Sequence, residues 1–297
     1  MNTPVLIIVY NRPQITEKQL MALKKIKPVN LYVFCDGPKS QSELKPILET
    51  RKLFNKLGWD CDVKTNFQQK NLGCKLGVIT AINWFFKNVS EGIILEDDCI
   101  PDASFFDFLS SLLKKYRNDK KISMISGSNL GFKNKNNDSY FYSRYSIVWG
   151  WATWANRWNS YRKILLKNEN EVFSKKNIDV CKKLGISNKF INNTIKSFQG
   201  RIDTWDYLWT YTNLINDRLS IIPSKNLIKN IGFGKQATHT KIITSLSELR
   251  RESTSKKIIH PQELVSNNKF DSYVTNTHNS VYLLFDFIIL KIKRLFK

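Results

Sequence analysis

Glu96-Asp97-Asp98 is the sharpest chemical feature of this chain; it follows the apolar run Gly92 to Leu95 and precedes Cys99-Ile100-Pro101. Three adjacent carboxylates at the end of a buried strand repel one another unless a cation neutralises them. Hard oxygen ligands of this kind suit Mn²⁺ or Mg²⁺ that is also held by phosphate oxygens. A solvated acidic turn is the plain alternative, but the apolar strand before the triplet favours the chemical reading. Two further acids, Asp203 and Asp206, are spaced to share a helical face, and either could serve as a general base. Asp203 also suits a helix N-cap, because it stands just before an apolar-periodic stretch that ends near Asn216.

Two aromatic or glycine-bearing segments add candidates. Trp149-Gly150-Trp151-Ala152-Thr153-Trp154 offers flat rings that could stack on a sugar face or simply fill a core. Trp151 is the preferred sugar contact, with Gly150 letting the backbone approach a ligand. His239 is one of only three histidines and follows the loop of Gly232 and Gly234. It could complete a metal shell or be solvated, and the glycines suit a loop that closes over a ligand.

The elements that must position these residues read as alternating strands and helices. Val5 to Tyr10, Leu31 to Cys35 and Gly92 to Leu95 are apolar runs of the kind buried on both faces of a sheet. Asp62 to Thr65 suggests a short further strand. Helical spacing covers Ile15 to Ile26, then a segment carrying Leu44 to Leu57, then Leu76 to Phe86. The rhythm predicts an α/β fold with a mostly parallel central sheet. In such sheets ligands sit beyond the carboxyl ends of the strands. Asn11-Arg12, Asp36 and the acidic triplet, each at a strand end, should therefore converge on one crevice. Beyond Ser128 the pattern loosens. Gly131 to Ser139 reads as a mobile polar segment, Tyr140 to Trp149 as a strand, and Lys167 to Lys189 as a surface excursion.

Composition bounds the function classes. The chain has 297 residues, a formal charge of +22, five cysteines and eight tryptophans. It is long enough for a sizeable core and too apolar for a disordered chain. The charge attracts nucleic acid, anionic membranes or phosphorylated substrates and does not choose among them. No helix-turn-helix, zinc or RNP-type pattern supports a nucleic-acid partner, so none is expected. The scattered cysteines form no C-x-x-C pair and read as reduced thiols. The N-terminus lacks a signal-peptide pattern and no run is long enough to cross a bilayer, so a cytoplasmic protein is expected.

Six segments, VLIIVYNRP, FCDGP, ILEDDCIPDASFFDF, VWGWATWANRW, TWDYLWTY and NIGFGKQATHT, occur in that order over roughly residues 4 to 240. Together they resemble the bacterial GT-A glycosyltransferases related to the eukaryotic N-acetylglucosaminyltransferase I family. The resemblance implies a GT-A, Rossmann-like domain that uses Mn²⁺ (or Mg²⁺) and a nucleotide-sugar donor. It implies that Asp98 holds the metal at the donor diphosphate, that Asp97 contacts the ribose and that Glu96 contacts the donor sugar. Arg12, with Asn11 beside it, matches a position near the phosphates, and Asp36 one near a uracil. Asp206 matches the catalytic base, and transfer would be inverting. Where the animal enzyme has a uracil-contacting histidine, this chain offers Lys75, which weakens the inference to UDP.

These expectations divide the chain into a transferase domain over 1–245 and a C-terminal extension over 246–297. The domain has a nucleotide-sugar-binding half, 1–130, and an acceptor-side half, 131–245. The run VYLLFDFIILKIKRLFK over 281–297 is apolar and then basic. It suits a helix lying at an anionic membrane surface, or a helix capping the core. The expected activity is assembly of a bacterial surface polysaccharide (O-antigen, lipooligosaccharide or capsule), with a glycan acceptor that a lipid could carry at the inner face of the plasma membrane. The competing readings are a sugar nucleotidylyltransferase, which would need a Gly-rich basic loop where Asn11-Arg12-Pro13 stands, and a basic nucleic-acid-binding protein.

Overall fold

The computed structural model describes residues 1–233 and 245–277. The apolar runs form the strands they predict: β1 (Val5–Val9), β2 (Asn30–Cys35), β3 (Asp62–Phe67) and β4 (Glu91–Glu96). Between them lie α1 (Pro13–Ile26), α2 (Gln41–Lys52) and α3 (Gly73–Asn88). The second helix stops before Phe54 and Leu57, which pack against the core from the turn that follows. The chain then forms β5 (Cys99–Pro101), α4 (Ala103–Tyr116), β6 (Ile122–Ser126), β7 (Tyr140–Ser143) and β8 (Trp151–Trp154). Helices α5 (Ala155–Leu165), α6 (Glu169–Val172), α7 (Lys175–Lys183), α8 (Asn188–Phe198) and α9 (Asp206–Ile215) precede β9 (Leu219–Pro223) and β10 (Ile228–Asn230). A last described helix, α10 (Asn268–Thr277), packs against β7.

The central sheet has eight strands in the order β3-β2-β1-β4-β8-β6-β9-β7. Only β7 and β8 run against the other six, so the sheet is mostly parallel, as the Rossmann-like reading requires. Side chains alternate across it. Leu6, Tyr32 and Phe34 face α3 and α9 on one side, while Val5, Ile7, Leu31 and Val33 face the helices α1, α2 and α4 on the other. Two apolar cores result, one on each face, which is the layered arrangement of α/β folds. A small second sheet pairs β5 antiparallel with β10 and folds residues 228–232 over the acidic turn.

The acceptor-side half departs from expectation in three places. The strand foreseen over Tyr140 to Trp149 ends at Ser143, and the Trp-rich segment itself is the next strand, β8, inserted between β4 and β6. The expected excursion over Lys167 to Lys189 folds into α6, α7 and the start of α8. Its sparse apolar residues Val172 and Cys181 are fully buried against α9, while the lysines face solvent. The Asn-rich segment after Gly131, expected to be mobile, is tied to its neighbours by hydrogen bonds. Asn134 donates to Ser224 Oγ at 3.0 Å, and the Ser139 amide to Ile259 O at 2.9 Å. All five cysteines are free thiols, as expected. Among the described residues no helix is long and apolar enough to cross a membrane. The apolar tail 281–297 and His239 lie outside the described residues.

Candidate active site

The carboxyl ends of β1, β2 and β4 open into one crevice of about 670 Å³. Asn11, Arg12, Asp36, Glu96, Asp97 and Asp98 line it on the sheet side, and Trp205, Asp206 and Tyr207 close it from α9. The convergence expected of the strand ends is therefore present.

The acidic turn is fixed through its backbone. Gln19, fully buried on α1, donates from Nε2 to Glu96 O at 2.8 Å and to Cys99 O at 3.1 Å. The Asp98 carbonyl accepts from the Ile231 amide at 2.9 Å. These bonds fix the backbone of the turn on both sides and so set where its three carboxylates start from. Burial pushes all three above the usual carboxylate range, and repulsion from neighbouring carboxylates adds to it at Glu96 and Asp97. For Glu96 the burial effect is reinforced by Asp98, Asp97 and Asp206, in that order. The Arg12 guanidinium, 3.7 Å from Asp97, opposes the shift there. Charges of one sign crowded into a partly dry site are stabilised by a bound cation. Among the described residues no three His, Cys, Asp or Glu side chains form a metal cage on their own. The oxygen donors fit a divalent ion that brings further ligands with it, such as phosphate oxygens.

Gly232 closes over Asp98. A Cβ at this position would lie 2.0 Å from Asp98 Oδ2, so any larger residue must displace the Asp98 carboxylate or the segment that carries residue 232. The Gly232 amide donates to Asn230 Oδ1 at 2.8 Å, and Asn230 also bonds the Asp98 carboxylate.

Asp206 is the first residue of α9, at the positive end of the helix dipole, where a carboxylate is favoured. Thr204 Oγ1 donates to its Oδ1 at 2.5 Å and fixes its direction. The preceding Trp205 stacks on Trp151, with ring centroids 5.5 Å apart and planes 23° apart. Trp158 and Trp209 complete the cluster. The cluster thus anchors the end of the helix that carries Asp206.

Several expected contacts lie elsewhere. Trp151 is fully buried among those tryptophans and has no face to offer a sugar; Trp149 and Trp205 line the crevice instead. Gly150 is glycine for packing and backbone reasons. Its φ is +59°, and an added Cβ would meet Ile228 Cδ1 at 2.6 Å. Lys75 turns away from the crevice, and its ammonium caps the end of α8 by donating to the carbonyls of Ser197 and Phe198. Asp203 caps a helix, but not its own. Its carboxylate accepts from the Cys74 and Lys75 amides at 3.0 and 2.9 Å, at the start of α3. That use leaves Asp206 as the acid facing the turn.

Asp36 reaches the crevice wall but is engaged by the chain itself. Its carboxylate accepts from the Gly37 and Leu72 amides at 2.8 and 2.9 Å and from Asn71 Nδ2 at 3.0 Å. Glu43, which sequence reasoning passed over, gathers the same end of the crevice by accepting from Tyr10 OH, Asn11 Nδ2 and the Lys39 amide. Its only signal is a carboxylate in the first turn of α2. Gln19 was missed as well. A polar residue amid the stripe Thr16, Gln19, Leu23 that α1 buries has no signature until the buried face is known.

Comparison with known proteins gives the following. No protein-family model matches the chain, and no curated protein sequence matches it. Solved structures similar in part include UDP-glucose pyrophosphorylase complexed with UDP-glucose, at 6% identity, covering 75% of this chain and 90% of that one, with a TM-score of 0.41. Mouse xyloside xylosyltransferase 1 in its apo form is similar at 11% identity, covering 72% and 81%, with a TM-score of 0.33. HddC from Yersinia pseudotuberculosis is similar at 12% identity, covering 52% and 77%, with a TM-score of 0.34.

Proposed function

We propose that this protein is a metal-dependent, inverting glycosyltransferase that moves a sugar from a nucleotide-diphosphate donor to a glycan acceptor. The single observation behind the reading is the crevice itself, where a fixed acidic turn stands across from an isolated, oriented carboxylate at a helix start. Asp206 takes the proton of the acceptor hydroxyl as that oxygen bonds to the anomeric carbon, and the bond from this carbon to the donor phosphate breaks. One base acting opposite the leaving group gives inversion, by the same stereochemistry as in inverting glycosidases. Asp98, with Asp97 and Glu96 behind it, would hold Mn²⁺ or Mg²⁺. When bound, that ion acts as a Lewis acid on the departing diphosphate. Arg12 and Asn11 flank the phosphates, and the wall built on Tyr10, Lys39, Glu43 and Asn71 meets the base. UDP is the first donor to test. The acceptor belongs to a bacterial surface glycan, assembled in the cytoplasm or at the inner face of the membrane.

A nucleotidylyltransferase would need a phosphate-cradling loop after the first strand. Here only Tyr10, Asn11 and Arg12 separate β1 from α1, and Pro13 already opens the helix. The test is calorimetric titration of UDP with Mn²⁺ and then with EDTA, repeated on Asp98→Ala. Metal-dependent binding that the substitution weakens is expected. Failure of UDP, GDP, CDP and dTDP alike would sink the proposal. Release of pyrophosphate from UTP and a sugar phosphate would instead establish the nucleotidylyltransferase.

A further inference from the structure

Next to the acidic crevice runs a second groove, of about 1240 Å³, between α1, β5, β10 and the segment around Arg250. The two share Asn11 and Arg12 as lining residues and so adjoin there. Their electrostatics are opposite. The crevice floor is acidic, whereas the groove is lined by Arg12, Lys18, Lys229, Arg250 and Arg251, with no acid among its described lining residues. Lys18, Lys229, Arg250 and Arg251 are exposed, and Arg251 is directed by a 2.9 Å hydrogen bond from its Nη1 to Pro101 O. Arg12 is paired with Asp97 at 3.7 Å and Arg251 lies near Asp102, so Lys18, Lys229 and Arg250 are the cations that an anion in the groove would meet. The groove is also amphiphilic, because Ile15, Ile100 and Ile231 supply apolar surface between the charges. Neutral glycans need neither feature.

We propose that this groove receives an acceptor bearing phosphate next to an apolar chain, its phosphate oxygens on Lys18, Lys229 and Arg250 and the chain along the isoleucines. The inference rests on the glycosyltransferase reading and deepens it by naming the acceptor class. Lysine and arginine hold phosphate by charge-assisted hydrogen bonds, so affinity falls as salt is raised. The isoleucine strip favours an amphiphile over a soluble phosphate ester of equal charge.

The test uses two probes on protein saturated with UDP and Mn²⁺, which keeps the donor site filled: farnesyl diphosphate and inorganic pyrophosphate. Farnesyl diphosphate is expected to bind more tightly than pyrophosphate. Lys18→Glu/Lys229→Glu is expected to lose at least about tenfold in affinity for both, with UDP titration unchanged. The double alanine variant, with a smaller loss, guards against misfolding, and an unshifted thermal midpoint confirms that both variants fold. Equal binding of the two probes, still weakened by the variants, would keep the phosphate site and assign it to a soluble phosphate ester. Binding that UDP abolishes, or that the variants leave unchanged, overturns the proposal. Should UDP itself not bind, the glycosyltransferase reading has failed separately, and the same titrations on nucleotide-free protein still decide the groove.

Discussion

The acidic turn at Glu96 to Asp98 and the tryptophan cluster around Trp151 are neighbours, joined through the pairing of Ile94 with Trp151 across β4 and β8. Both stand out in the sequence as dense runs of one chemical type, and both invite assignment to the ligand. The turn lines the crevice with all three of its residues, whereas of the Trp151 cluster only Trp205 reaches it. The tryptophan rings cover one another by stacking and burial, with Trp158 Nε1 donating to Asn83 and Trp209 Nε1 to Met124, while the buried Trp151 Nε1 has no partner among the described residues. The carboxylates cannot satisfy one another at all, since each added charge raises the cost of the next. Side chains that the fold cannot pair internally mark the functional surface, while those that pair among themselves become scaffold.

The contrast is tested most severely at Asp206, which the cluster carries and the turn faces. Asp206→Asn keeps the shape and the helix while removing the base, so transfer should fall by about 100- to 10,000-fold. UDP binding by the same variant should stay within about twofold, because a uniform-binding role would alter affinity instead. A large loss of UDP affinity would move Asp206 from proton transfer into donor binding.

Breaking the scaffold should look different. Trp158 is fully buried, stacks on Tyr161 at 4.6 Å and donates from Nε1 to Asn83 Oδ1 at 2.8 Å. Trp158→Ala leaves a cavity and an unpaired amide, so about 3–5 kcal/mol of unfolding free energy should be lost in denaturant titration. Molecules that remain folded should still bind UDP. Stability within about 1 kcal/mol of the parent would show that the cluster is not the structural core that its burial implies.

How far the sequence could be read follows the same division. The buried strands β1, β2 and β4 announce themselves because both faces are covered, and their polar ends announce the crevice. Lys75 and Asp203 were misassigned because their partners are remote in the chain. The ammonium caps α8 more than 120 residues away, and the carboxylate caps α3 from a similar separation. The strand β8 was hidden because four tryptophan-rich residues between distant antiparallel partners carry no alternation of their own. In α6 and α7 the apolar positions are too few among lysines to reveal a buried face, whereas Phe190, Ile191, Ile195 and Phe198 give α8 an apolar stripe at helical spacing that the sequence reading passed over. Local pattern shows where an element begins. It does not show which remote group a charged side chain will meet.

Gly232 connects the turn to the small sheet above it, and its substitution should separate function from stability. A methyl group there must displace the Asp98 carboxylate or the segment that carries residue 232. Gly232→Ala should weaken metal-dependent UDP binding by about tenfold, roughly 1.4 kcal/mol. Its thermal midpoint without metal should move little, because the contact lies at the rim and not in either core. Unchanged UDP affinity would mean that Asp98 can leave its position without cost and is not the metal-holding acid.

The smallest effect should be the most telling about the turn. If its carboxylates strain the fold when no cation is bound, neutralising one should stabilise the metal-free protein. Burial together with Asp98, Asp97 and Asp206 raises the folded-state pKa of Glu96 above its unfolded value. A carboxyl group shifted in this direction supports the fold while protonated, and that support fades as pH rises through the folded pKa. Metal-free Glu96→Gln should therefore melt about 2–4 °C above the parent at pH 8, the shift that roughly 1 kcal/mol makes in a domain of comparable size. At pH 4, where the parent's own carboxyl is protonated, the two should melt together. Saturating Mn²⁺ and UDP should also reverse the order at pH 8, because the parent then gains binding energy that the variant has partly lost. A variant no more stable than its parent at pH 8 without metal would show that the turn is relaxed as it stands, and crowding of charge would no longer distinguish it from the tryptophans beside it.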